Sequence, residues 1–214
     1  EIVPGALSWG VIVFFVLLAI WKPVYCAVMI IAFDFYWIVR TIYLTTLLVM
    51  ANRQLARQRN KNWLQAARKI EGWNKIYQLV IFPVYKEGLD ILRPSIQALK
   101  ETHYSQKNMI VVMAFEERHK PAAEYAKVLA GEFKGVFGDF IVTMHPDGLP
   151  GEKRLKGANA TWAAKRAKEY FEAQKISFDR VIVSCFDADT CVDLEYFGCL
   201  TYHFLTTPDP HRAS

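Results

Sequence analysis

Residues 181–190 read VIVSCFDADT, an apolar run that ends on two aspartates with a single alanine between them. The side-chain period of a strand is two, so Asp187 and Asp189 can leave a strand end pointing the same way. Carboxylates that close repel one another unless a cation lies between them. Oxygen donors on a turn suit Mg²⁺ or Mn²⁺, ions that keep coordination positions for phosphate oxygens. The chemistry on offer is metal-assisted binding of a phosphorylated ligand; the plainer reading is a polar turn at a strand end.

A second stretch, GLPGEKRLKGANATWAAKRA at 148–167, is a glycine-containing basic loop that runs into a helical pattern. Such a loop suits an anionic ligand, a diphosphate for example. It is not a Walker A loop, because no Gly-Lys-Ser or Gly-Lys-Thr occurs. Lys153, Arg154 and Lys156 face either that ligand or solvent, and Asn159 either lines a pocket or caps a helix beginning at Ala160. Glu87, Glu116 and Glu117 are surface acids promoted by their position at strand ends, and Tyr85 either stacks on a base or covers the sheet edge. His103, His119, His145, His203 and His211 show no paired metal spacing, although His145 ends a strand. Cys26, Cys185, Cys191 and Cys199 match no zinc pattern and are expected to be reduced, buried small hydrophobes.

The elements that must position these residues follow from periodicity. Residues 79–84, 109–115, 140–144 and 181–186 are short apolar runs, as parallel strands covered on both faces should be. Between them lie helical patterns. Asp90 is placed to cap a helix through Glu101, with Leu92, Ile96 and Leu99 on one face and Pro94 in the first turn. Pro121 opens a second, with Ala122, Ala126, Leu129 and Phe133 at helical spacing, and a third over 160–174 buries Ala163, Ala167, Tyr170 and Phe171. Strand and helix in alternation predict a doubly wound, mainly parallel α/β sheet. Ligands of such sheets bind beyond the carboxyl ends of the strands, which here carry PVYKE at 83–87, FEER at 115–118, HPD at 145–147 and the aspartate pair.

Charge and hydropathy divide the chain into a membrane segment at 1–52, a basic juxtamembrane linker helix at 53–77 and the α/β domain at 78–214. Residues 2–21 carry no charge, and residues 24–51 are interrupted only by Asp34 and Arg40. At about 1.5 Å per residue, twenty residues span roughly the 30 Å of a hydrocarbon core. A transmembrane hairpin is the reading, with one span plus an interfacial helix as the alternative; a signal peptide is disfavoured by the absence of a basic n-region. The net charge of +5 comes from Arg53, Arg57, Arg59, Lys61, Arg68 and Lys69, whereas residues 70–214 carry a net −1. The globular part is therefore not a nucleic-acid binder. By the positive-inside rule the basic collar puts the domain that follows it in the cytoplasm of a multi-pass membrane protein.

The ordered set Pro83-Val84-Tyr85-Lys86-Glu87, a second strand ending in acids, Lys156-Gly157-Ala158-Asn159 and Phe186-Asp187-Ala188-Asp189 resembles the family 2 inverting glycosyltransferases of the GT-A fold, cellulose-synthase-like enzymes among them. The resemblance covers about residues 78–190. It implies that Pro83, Tyr85 and Glu87 flank the nucleoside, that Glu116 holds the base, that Lys156 and Asn159 line the nucleotide pocket, and that Asp187 and Asp189 hold a Mg²⁺ or Mn²⁺ bridging the diphosphate. It implies a nucleotide-sugar donor, a UDP-sugar by expectation, and a lipid or glycan acceptor. The family's general base and acceptor motif lie well beyond the two aspartates, so the sequence reads as the amino-terminal, donor half of a longer enzyme, with no catalytic base assigned. The alternatives are a sugar nucleotidyltransferase and a catalytically incomplete nucleotide-sugar-binding module.

Overall fold

The computed structural model describes residues 2–152 and 155–210 and divides into two compact units, 1–61 and 62–214. In the first, α1 (Ile2–Trp21) and α2 (Pro23–Arg59) meet at Lys22, with Pro23 at the start of α2 where its missing N–H costs nothing. Both helices are long and apolar enough to cross a membrane. Their apolar side chains point outward almost without exception, and only Cys26 is buried. A helix apolar on all sides is stable where lipid or protein replaces water. Hydroxyls are satisfied locally, Ser8 on the Pro4 carbonyl and Thr46 on the Ile42 carbonyl, and the Arg40 guanidinium lies 5.0 Å from the Trp37 ring centre. The 37 residues of α2 come to about 55 Å, longer than a hydrocarbon core, and its last turns carry the arginines.

The linker helix expected over 53–77 is not one helix. Asn60 ends α2, and the second unit begins with α3 (Trp63–Ala67), whose Trp63, Leu64 and Ala67 are buried. The apolar trio outweighs the flanking charges, so this segment is part of the α/β core and not a spacer.

Four parallel strands follow: β1 (Tyr77–Pro83), β2 (Met109–Glu116), β3 (Asp139–His145) and β4 (Val181–Cys185), in the order β3-β2-β1-β4. Alternate residues of β1 and β2 feed two cores. Val80, Phe82, Val111, Met113 and Phe115 pack with α4 (Leu89–Glu101) and α5 (Ala122–Glu132) on one face. Leu79, Ile81, Ile110, Val112 and Ala114 meet Ala163, Ala167 and Phe171 of α6 (Lys156–Ala173) on the other. The sheet is thus doubly wound, and the chain reverses direction across it between β1 and β4. That reversal is the topological switch point, where an open α/β sheet leaves a crevice.

Three local expectations are corrected. The cap of α4 is Gly88 in extended conformation (φ −81°, ψ 169°), while Asp90 sits in the first turn, where its charge still meets the positive end of the helix. Pro94 then falls inside α4, at the cost of one helical hydrogen bond. The cysteines are not all buried: β4 is an edge strand covered on one side only, which leaves Cys185 exposed, and Cys191 is exposed in the loop that follows.

Beyond β4 lies an unforeseen element, α7 (Tyr196–Thr206), packed on α3 with Phe197 wholly buried. The Trp63 ring sits 5.4 Å from Tyr202 and 5.1 Å from His203. Glu195 accepts a hydrogen bond from the Leu64 N–H at 2.8 Å and contacts His103 Nδ1 at 2.6 Å. These contacts fix the chain immediately after the aspartate pair. They need a glycine at 198, since a Cβ there would lie 2.6 Å from the Leu64 nitrogen. Gly198→Val is expected to lower stability by about 1–3 kcal/mol through overpacking. Gly131→Ala, in α5 with nothing near its would-be Cβ, should instead add about 0.5–1 kcal/mol. Urea unfolding of the two variants measures the contrast.

Candidate functional site

The strand ends converge because all four strands are parallel. Pro83 stands opposite Ala114, Glu116 opposite His145 and Ile81 opposite Cys185, and the ladder runs on past the strands through Val84 N–H to Ala114 O (2.8 Å) and Phe186 N–H to Ile81 O (3.0 Å). Beyond these ends, at the switch point, opens a cleft of about 380 Å³. Pro83, Tyr85, Glu87, Glu116, Lys156, Asn159, Asp187 and Asp189, the residues named from sequence, all line it.

The aspartate pair owes its direction to the alanine between. Ala188 is 5% exposed, whereas Asp187 and Asp189 are exposed. The Ala188 carbonyl accepts a hydrogen bond from Ser95 Oγ of α4 at 2.8 Å, and a turn closes from Thr190 N–H to Asp187 O at 2.9 Å. Anchoring the middle residue inward leaves both neighbours facing the cleft. Opposite them, at the first residue of α6, Lys156 Nζ forms an ion pair with Asp187 Oδ1.

At the end of β2 the Glu116 carboxylate, nearly buried, is ion-paired with Arg118, which also lines the cleft. Hydrogen bonding to Glu116 raises the Arg118 pKa above its already high value, so this guanidinium is permanently charged. It lies 4.1 Å from the centre of the Tyr85 ring, with Lys86 Nζ at 4.9 Å. Tyr85 is thus a platform that already carries a planar cation. Arg118 was named from sequence only as the last residue of the FEER strand end and given no role, although the same signal marks it, a polar side chain two residues beyond a strand-end acid. Glu117 points elsewhere and accepts from the Asp147 N–H at 3.3 Å. Glu87 folds back on its own turn, accepting from the N–H groups of Tyr85 (2.7 Å) and Lys86 (3.1 Å).

Asn159 is not a helix cap. The helix starts at Lys156, so Asn159 lies within α6, 1% exposed, and its Nδ2 donates to the Ala114 carbonyl at 2.6 Å and to the Val84 carbonyl at 3.5 Å. These carbonyls belong to the ends of β2 and β1, and the bond pins α6 to the sheet at the cleft. The amide oxygen is buried with no hydrogen-bond partner among the described residues. Lys153, Arg154 and His211, also singled out from sequence, lie outside the described residues. A smaller cavity beside the cleft shares Glu116 and Arg118, and there His145 Nε2 stands 3.3 Å from Glu152 Oε2.

The lining carries four carboxylates, Glu87, Glu116, Asp187 and Asp189, against two cations, Arg118 and Lys156. An anionic ligand meets net repulsion there unless a further cation accompanies it. Among the described residues no group of three or more His, Cys, Asp or Glu side chains could hold a metal. Two carboxylates alone match the way Mg²⁺ is held, by one or two side chains with the remaining positions left to phosphate and water. The donor set therefore fits a divalent ion that arrives with its own oxygen ligands.

No family model matches the chain, and no curated protein matches its sequence.

Removing the Asn159 donor takes a side-chain hydrogen bond from the Ala114 carbonyl, which keeps the Val84 N–H, and the longer one from the Val84 carbonyl. Asn159→Asp, which keeps the shape and loses the donor, is expected to cost about 1–3 kcal/mol. The midpoint of denaturant unfolding should fall accordingly, while Asn159→Gln, which keeps a donor but overfills the site, should be intermediate.

Proposed function

We propose that the chain is a membrane-anchored, metal-dependent glycosyltransferase of GT-A architecture, akin to the family 2 inverting enzymes, that binds a nucleotide-diphosphate sugar in the switch-point cleft. The donor in this reading is a UDP-sugar and the acceptor a lipid or glycan near the bilayer. One observation carries it: eight residues named independently by an ordered set of motifs, spread from Pro83 to Asp189, line a single cleft. The parallel sheet gathers the strand ends, and the reading rests on the residue types found there, Tyr85, Glu116 and Asn159 beside the aspartate pair.

Each residue then has a task that its environment suits. Tyr85 offers an aromatic face to a base, and Glu116, at the floor, accepts from an N–H on the base edge. Asp187 and Asp189 would hold Mg²⁺ or Mn²⁺, which when bound would supply positive charge to a diphosphate leaving group. The first turn of α6 brings Lys156 and the positive end of an 18-residue helix to the same side. In this reading the two apolar helices of the first unit keep the enzyme at the membrane, and the arginines at the end of α2 favour a cytoplasmic catalytic domain by the positive-inside rule.

The test is thermal unfolding of the full chain in detergent with UDP, with and without Mn²⁺. At a hundredfold excess over Kd the ligand should add about 2.7 kcal/mol, several degrees in Tm. The increment should require Mn²⁺ and vanish in Asp187→Ala and in Asp189→Ala. Stabilisation by UDP that ignores both the metal and the substitutions contradicts the assignment. Release of labelled sugar from a UDP-sugar then separates an enzyme from a binding module.

A further inference from the structure

We propose that Lys156 is the cleft's built-in counter-cation, which gives up Asp187 to a divalent ion and moves to the diphosphate, so that metal and nucleotide binding depend on each other. The inference rests on the reading above and adds to it a coupling that neither the aspartates nor the metal alone would produce.

The ion pair between Lys156 Nζ and Asp187 Oδ1 uses one of the two carboxylates that a metal would need. An ammonium in contact with that oxygen repels an incoming dication, so the metal cannot settle until the lysine leaves. Leaving is easy. The side chains are 52% and 72% exposed, which makes the pair weak and leaves no buried charge behind when it opens. Lysine is also suited to the exchange, a compact charge on a flexible four-carbon stem at the very start of a helix.

What the lysine lacks, once displaced, is an anion. The other two cleft acids are engaged: Glu116 is paired with Arg118, and Glu87 accepts from the backbone N–H groups of Tyr85 and Lys86. A diphosphate supplies the missing partner. It supplies oxygen ligands as well, which the metal requires because the described residues place no third acid, histidine or cysteine beside the pair. Metal alone must break an ion pair for two ligands; diphosphate alone meets four carboxylates and a lysine already engaged. Together they give the displaced lysine an anion and the metal its further oxygen ligands. By linkage the coupling is reciprocal, each ligand tightening the other by the same factor.

The experiment is Mn²⁺ binding to the full chain in detergent micelles, read from the EPR signal of the unbound ion, with and without saturating UDP. In Lys156→Met the Kd for Mn²⁺ without UDP should fall about two- to fivefold, the span of an exposed ion pair. The factor by which UDP tightens Mn²⁺ binding should shrink by at least as much. Lys156→Arg, which keeps the charge, should retain the wild-type values, and Lys156→Gln serves if the Met variant folds poorly. If wild type shows UDP-dependent Mn²⁺ binding but loss of the lysine charge leaves the metal-only Kd unchanged, or the Arg variant behaves like Met, the exchange is wrong and the site assignment stands. If wild type binds no Mn²⁺ even with UDP, both fall.

Discussion

Ala188 is buried between two exposed aspartates, and the aim of the whole cleft depends on that burial. The Ser95 hydroxyl holds the alanine's carbonyl inward, α7 and Glu195 secure the chain after it, and β4 secures the chain before it. With the middle residue fixed in the turn, Asp187 and Asp189 are both left exposed on the cleft lining. The elements behind them serve the same end: Asn159 ties α6 to the two neighbouring strand ends, and the Glu87 carboxylate, accepting from the Tyr85 and Lys86 N–H groups, holds the bend that carries Tyr85.

Charge gives the arrangement its chemistry. Four acids around a cleft of this size are unfavourable on their own, and the protein relieves them in pairs, Arg118 with Glu116 and Lys156 with Asp187. The two pairs differ in kind. The first is sheltered, stacked on Tyr85 and fixed in shape, and it is suited to recognition. The second is solvent-exposed and easily opened, which suits a place where a cation must come and go.

Much of this was legible in the sequence because it rests on apolar patterning. Short continuous apolar runs marked the four strands and helical spacing the three intervening helices, within a few residues of where they lie, and the carboxyl ends of those strands identified most of the cleft lining. Other features were not legible, for physical reasons. The fate of residues 62–77 turned on tertiary burial of Trp63 and Leu64, which no local charge count reveals. Asn159 has the composition of a cap, and only the earlier start of α6 at Lys156 turns it inward onto the sheet. The exposure of Cys185 follows from strand order, which places β4 at an edge, and that of Cys191 from its place in the loop beyond. Arg118 and α7 carried weak signals, an E-x-R at a strand end and an apolar stretch without caps.

The central claim is that one divalent ion touches both the chain's aspartates and the ligand's diphosphate. ENDOR spectroscopy of Mn²⁺ bound to the chain, prepared with ¹³Cγ-labelled aspartate and unlabelled UDP, tests it in a single spectrum. The account predicts ¹³C couplings from directly coordinating carboxylates together with ³¹P coupling from the nucleotide, and loss of the ¹³C couplings in Asp187→Asn/Asp189→Asn. A ³¹P coupling with no ¹³C partner would mean that the metal rides on the nucleotide without the aspartates, and the account would be wrong.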